Sequence, residues 1–176
     1  MGTLIAFERE GRGPAVVLAH GAFADRSASA GLAGLLAERF TVFRFDRRGR
    51  GNSGTTTHSV ELEVADLAAI VAVAGGSAFA YGHSAGGALV LEAAARGVPL
   101  PRIAVYEPPY TVEPARLADS ARLADRLRAL VAAGQRGDAV ELFLRVAAQL
   151  PADVAPGWPR TRGGRSWPTC SCTTTR

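Results

Sequence analysis

The chain has 176 residues, 48% of them hydrophobic and 20% charged, enough for one domain with a substantial core and incompatible with disorder as its overall state. Its formal charge of +4 comes from 20 basic residues, all arginine, and four of these (Arg160, Arg162, Arg165, Arg176) lie in a terminal stretch without an acid; the rest of the chain is neutral, so its charge gives no case for a nucleic-acid partner. No apolar run approaches the ~20 residues of a membrane helix, and the N-terminus carries no basic-then-apolar leader, so a cytoplasmic protein without a membrane partner is expected.

The first elements are two apolar runs, Thr3 to Phe7 and Ala15 to Ala19, joined through Gly11-Arg12-Gly13-Pro14. This pattern predicts a hairpin at one edge of a sheet. A loop, His20 to Asp25, leads to a helix bearing Leu32, Leu35 and Leu36. Thr41 to Phe45 is the next strand, and a Gly/Arg-rich loop runs from Asp46 to Gly54. Ser59 is placed to cap a helix whose first turn holds Glu61 and Glu63, with Val60, Val64, Leu67 and Val71 on one face. Ser77 to Tyr81 reads as a short buried strand, Gly82 to Gly87 as a tight turn, Ala88 to Arg96 as a helix and Arg102 to Tyr106 as a further strand. Strands alternating with helices at this spacing imply a mostly parallel sheet with helices on both faces.

After Tyr110 the texture changes. Leu117, Leu123, Leu127, Leu130 and Val131 mark one amphipathic helix, ended by Gly134; Val140, Phe143, Leu144, Ala147 and Leu150 mark a second, stopped by Pro151. With no strand between them they predict a helical insertion lying on the sheet. From residue 156 the composition shifts again: 34 of the first 155 residues are alanine and none of the last 21 is. That tail has no Leu, Ile, Val, Phe or Met, and both cysteines, Cys170 and Cys172, fall in it. It reads either as a terminus outside the core or as the product of a changed reading frame near residues 156–160. The organisation expected is a core at 3–110, a partial helical cap at 111–155 and an irregular tail at 156–176.

Gly82-His83-Ser84-Ala85-Gly86 carries the chemistry. It is G-x-S-x-G between a buried strand and a helix, where a serine on a sharp turn projects its hydroxyl above the sheet. The positions two before and two after the serine must be small, because a Cβ there would strike the turn. Ala85 opens the following helix, so its N–H and the helix dipole favour a developing oxyanion. His20-Gly21-Ala22-Phe23 follows the second strand, in the position from which a second oxyanion donor would come. Between these motifs lies Asp46-Arg47-Arg48-Gly49-Arg50-Gly51-Asn52-Ser53-Gly54.

Together, and in this order, the three segments resemble the α/β-hydrolase fold family, the third looking like its D-x-R-G-x-G-x-S loop; Tyr106-Glu107-Pro108-Pro109-Tyr110 is similar to the segment leaving that family's sixth strand. The resemblance covers about residues 3 to 155 and implies an α/β-hydrolase-type sheet with a partial helical cap and without the last two strands. It implies Ser84 as nucleophile, the N–H groups of Ala22 and Ala85 as oxyanion hole, and an ester or similar small acyl substrate, with no metal or organic cofactor required. The family's order is Ser, then Asp or Glu, then His. Here the histidines are His20, His58 and His83, and none follows Ser84. His83 is expected beneath the elbow, His20 in a structural hydrogen bond, His58 in a solvated loop, and Glu107 in a structural role rather than as the acid. A serine without a base is protonated and inert at neutral pH, so this chain is expected to be crippled as a catalyst.

Two other readings stand beside it. One is a hydrolase-like module that binds a small molecule or protein without turnover. The other is a nucleotide-binding domain built on Gly49-x-Gly51-x-x-Gly54, which matches the dinucleotide fingerprint by letter but sits too far from the next helix start. Arg47, Arg48 and Arg50 are expected to support a solvated loop.

Overall fold

The structure is a computed structural model that describes residues 3–54 and 57–150. It divides into two compact units, Met1–Tyr110 and Thr111–Arg176. The tail at 156–176 lies outside the described residues.

The first unit is a five-stranded sheet with helices on both faces. Its strands are β1 (Phe7–Gly11), β2 (Ala15–Ala19), β3 (Thr41–Phe45), β4 (Phe79–His83) and β5 (Ile103–Tyr106). Its helices are α1 (Ala30–Leu36), α2 (Val60–Val73) and α3 (Ala85–Ala95), with a 3-10 turn at Arg26–Ser29 before α1. The spatial order is β1-β3-β2-β4-β5. β3, β2, β4 and β5 run parallel, and β1 joins β3 antiparallel at the edge.

β2 shows why the sheet needs helices on both sides. Alternate side chains point to opposite faces. Val16 and Leu18 pack with Ala33 and Val42 beside the partly buried Leu36 of α1. Val17 and Ala19 pack with Phe43, Phe45, Leu67, Ile70, Leu89 and Val90, the face covered by α2 and α3. A parallel strand buried on both faces reads as a continuous apolar run, and Ala-Val-Val-Leu-Ala is such a run.

The expected hairpin is not formed. β1 and β2 are neighbours in sequence, yet β3 lies between them, with Phe7 opposite Phe45 and Gly11 opposite Thr41. The first strand also begins at Phe7 rather than at Thr3. Gly11 and Gly13 turn the chain at φ 77° and 127°. Pro14 then accepts from Thr41 N (3.0 Å), and Gly13 O accepts from Thr41 Oγ1 (2.8 Å). The turn is thus tied to the start of β3, and β2 enters on the far side of β3 from β1.

α2 begins where its cap predicts: Ser59 Oγ accepts from Leu62 N at 3.2 Å, and Glu61 and Glu63 occupy the first turn. Val64, Leu67 and Val71 are buried, while Val60 is exposed. β4 continues two residues further than expected, to His83, and α3 opens at Ala85, directly after the turn.

The second unit contains α4 (Pro114–Ala132) and α5 (Arg136–Val146), which pack on each other through the turn at Gly134, φ 73°. Within it Ala139 and Val140 are buried. No described helix is long and apolar enough to cross a membrane.

Candidate active site

Ser84 is the single residue between β4 and α3. Its φ and ψ are 52° and −123°, a conformation that costs a non-glycine residue about 1–3 kcal/mol and persists only where its surroundings enforce it. They do so here. Ser84 N donates to Tyr106 O of β5 at 2.9 Å, and Ser84 O accepts from Gly87 N at 2.8 Å and Ala88 N at 3.1 Å. The flanking glycines are sterically required. A Cβ on Gly82 would lie 2.6 Å from Gly87 Cα, and one on Gly86 would lie 2.6 Å from His20 O and closer still to Ala19 O. Gly86 therefore lets α3 settle against the end of β2.

The loop leaving β2 reaches the same place. A Cβ on Gly21 would stand 3.5 Å from the Cβ of Ser84 and 3.6 Å from His83 Nδ1, so Gly21 lies in close range of the elbow. Ala22 follows it in the loop. Ala85 is the first residue of α3, and a helix's first N–H groups have no partner within the helix. Ser84, Ala22 and Ala85 are thus gathered at the carboxyl ends of two adjacent parallel strands, β2 and β4, where the strand order reverses direction and open α/β sheets bind ligands.

The three histidines occupy different environments. His20 is 5% exposed, and burial lowers its pKa to about 4. Its Nε2 has no hydrogen-bond partner among the described residues, so the expected structural hydrogen bond is not made through that atom. His83 is exposed, with its ring 5.7 Å from that of Tyr106, rather than packed beneath the elbow. Its position opposite Tyr106 follows from the parallel register of β4 and β5. His58 is exposed and lies against Gly49. Glu107 follows β5 at φ 49°, the second non-glycine residue in positive φ at this edge.

Arg47 and Arg48 of the loop after β3 are buried rather than solvated, and the loop is not shaped for a dinucleotide. Asp46 is fully buried and accepts from the backbone N–H groups of Arg26 and Asn52, both at 2.8 Å, and from the Arg26 guanidinium. Gly51, at φ 50°, passes so close to the Asp46 carboxylate that a side chain would collide with it. Arg47 is 8% exposed; its Nε donates to Glu63 at 2.6 Å and its Nη1 to His20 O at 3.3 Å. Arg48 is 3% exposed and grips Asp66 with two hydrogen bonds of 2.7 and 2.8 Å. Gly49 N closes the loop on Gly54 O at 2.9 Å, and α2 starts only at Val60. A dinucleotide fingerprint needs a helix opening directly from its glycines, and this loop lacks one. The carboxylates of α2 that neutralise these arginines escape sequence reading, because nothing local pairs Arg48 with Asp66 eighteen residues on.

Comparison with known proteins agrees with this geometry. The model of the Alpha/beta hydrolase family matches residues 16–175. An alpha/beta hydrolase of Sphaerobacter thermophilus is 50% identical with a TM-score of 0.81, over 90% of this chain and 64% of its own. A thermophilic esterase of Thermogutta terrifontis is 28% identical with a TM-score of 0.59, over 70% of this chain and 48% of its own. A monoacylglycerol lipase of Paleococcus ferrophilus is 27% identical with a TM-score of 0.59, over 70% and 51%. No curated protein matches. This chain spans less than two thirds of the length of each of these structures. By the family match, the sheet order and the turn at Ser84, the chain belongs to the alpha/beta hydrolase family.

Proposed function

We propose that the site is that of a serine hydrolase acting on an ester or similar small acyl substrate. Ser84 is its nucleophile, and the N–H groups of Ala22 and Ala85 hold the oxyanion. The observation that carries this reading is the strained backbone of Ser84, fixed between Gly82 and Gly86 at the start of α3. In the reaction Ser84 Oγ attacks the acyl carbonyl and loses its proton to a base. The tetrahedral oxyanion collapses, expelling the alcohol, and water then releases the acyl group. The esterase and lipase among the similar structures favour an acyl substrate.

Among the described residues none is placed as a base to Ser84. His20, held neutral by burial, already precedes the elbow, and no histidine follows Ser84 in the sequence. Turnover of p-nitrophenyl acetate by the 176-residue protein is therefore expected at background and unchanged by Ser84→Ala. A chimera tests the nucleophile: residues 3–150 joined to the remaining third of the Sphaerobacter hydrolase. Turnover that Ser84→Ala abolishes supports the reading. A folded, inactive chimera counts against it.

That no described residue hydrogen-bonds Ser84 Oγ as a base favours one second reading, a hydrolase-like module that binds a small molecule without turning it over. A ligand-induced rise in melting temperature with no turnover in the chimera would favour that alternative.

A further inference from the structure

The residues of β5, Ile103-Ala104-Val105-Tyr106, form an unbroken apolar and aromatic run like that of β2, yet all of them are exposed. A parallel strand of that composition belongs inside a sheet, with a strand on each side and a layer on each face. β5 has a strand on one side only, β4. Arg102 O accepts from Ala80 N at 3.0 Å and Tyr106 O from Ser84 N at 2.9 Å. Alternate residues of a strand address opposite neighbours, so Arg102, Ala104 and Tyr106 turn their backbone groups to β4. Ile103 and Val105 turn theirs the other way, where no described strand receives them.

The two faces of β5 are also unlike. By register with β4, Ile103 and Val105 lie on the face of Ala80, and Ala104 and Tyr106 on the face of Tyr81. α3 packs on β5 from the first face; on the second, α1 packs on β1 and β3. An open edge and an uncovered face therefore meet at one strand. A second copy of the chain would bring an open edge of its own, but the helices of its sheet are committed to that sheet and would leave Ala104 and Tyr106 bare. A strand followed by an amphipathic helix answers both openings. The size of such a piece is set by comparison: about a third of the Sphaerobacter hydrolase is unmatched by this chain.

We propose that β5 docks a separate polypeptide, the counterpart of that unmatched third, which adds an apolar strand to the backbone of Ile103 and Val105 and lays a helix over Ala104 and Tyr106. Main-chain hydrogen bonds along the edge supply affinity, and the side chains on either face of the added strand supply specificity. Burial of the Tyr106 ring under the helix adds apolar contact while its hydroxyl keeps a polar end. The inference rests on the sheet and on family membership, not on Ser84 as nucleophile.

The 176-residue protein and the unmatched third of the Sphaerobacter hydrolase, made as a separate chain, are refolded together from urea, so that a fragment with no stable fold of its own can still dock. Sedimentation velocity is expected to show a one-to-one complex. Amide exchange at Ile103 and Val105 is expected to slow by about ten-fold or more in that complex, with Val17, inside the sheet, unchanged. Ala104→Lys, which sets a charge beneath the helix, is expected to weaken the complex about ten-fold, and Val60→Lys, exposed on α2, to leave it as it was. If Ala104→Lys does not melt cooperatively, Tyr106→Ser takes its place. No complex, or one in which Ile103 and Val105 exchange as before, overturns the proposal, as does parent affinity in the face variant. Protection that follows only the concentration of the 176-residue protein assigns the edge to a second copy and overturns it too. The expected complex without Ser84-dependent turnover would retain the docking and count against the nucleophile.

Discussion

Burying an imidazole beside charged groups has a cost that depends on its protonation. Asp46 and Asp25 favour the charged form of His20, while burial, Arg44 and Arg47 oppose it, and burial dominates. The folded pKa lies near 4 against 6.5 for a free imidazole. Between those values the unfolded chain binds a proton that the folded chain does not. Stability therefore falls as pH drops from 6.5 to 4, by about 3 kcal/mol in all, and below pH 4 this contribution is fully lost. Urea unfolding at pH 7 and pH 4.5 reads the effect, and His20→Asn should flatten it. A variant whose stability falls as steeply as the parent's would assign the acid sensitivity to other groups.

At the scale of elements, α2 links the core to the site. Its inner face supplies Val64, Leu67, Ile70 and Val71 to the core, while Glu63 and Asp66 hold Arg47 and Arg48 of the loop after β3. Its start depends on Ser59, whose hydroxyl accepts from Leu62 N. Ser59→Ala is expected to cost about 1 kcal/mol in urea unfolding, with no change in the denaturant slope. A null effect would mean that the tertiary pairs alone define the helix start. Ser59 was legible in the sequence because capping is local, and so were the elbow and β3. The partner of β1 was not. Gly11 and Gly13 are shared by a hairpin turn and by the observed turn, and only long-range pairing distinguishes them. A signal did exist: Phe-Glu-Arg-Glu-Gly carries charge at three consecutive positions, which a strand buried on both faces does not tolerate, whereas Ala-Val-Val-Leu-Ala is apolar throughout and belongs in the sheet interior. The buried charge network was equally illegible, since an arginine-rich loop with its acids on a distant helix has the same composition as a solvated one.

At the scale of the whole molecule, the two edges of the sheet are unlike. β1 presents Glu8 and Glu10, which pair with Arg26 and Arg44, and charge on an edge strand discourages a further strand from adding. Among the described residues β5 has no such protection. No described strand pairs beyond it, and Ile103, Val105 and Tyr106 are 40%, 37% and 56% exposed, whereas the four apolar residues Val16 to Ala19 of β2 are at most 7% exposed. A short apolar edge with unpaired backbone groups is a template for intermolecular pairing. The 176-residue protein should therefore self-associate as its concentration rises, detected as a concentration-dependent increase in mass by sedimentation velocity. Val105→Lys, which places a charge on that strand, should shift the onset to higher concentration, whereas Val60→Lys, at an exposed position on α2, should leave it unchanged. If both variants behave alike, association arises from general surface hydrophobicity and not from β5. If only the strand variant responds, the same strand that holds the Ser84 backbone through Tyr106 on its inner side is, by its open side, where this molecule adheres to others.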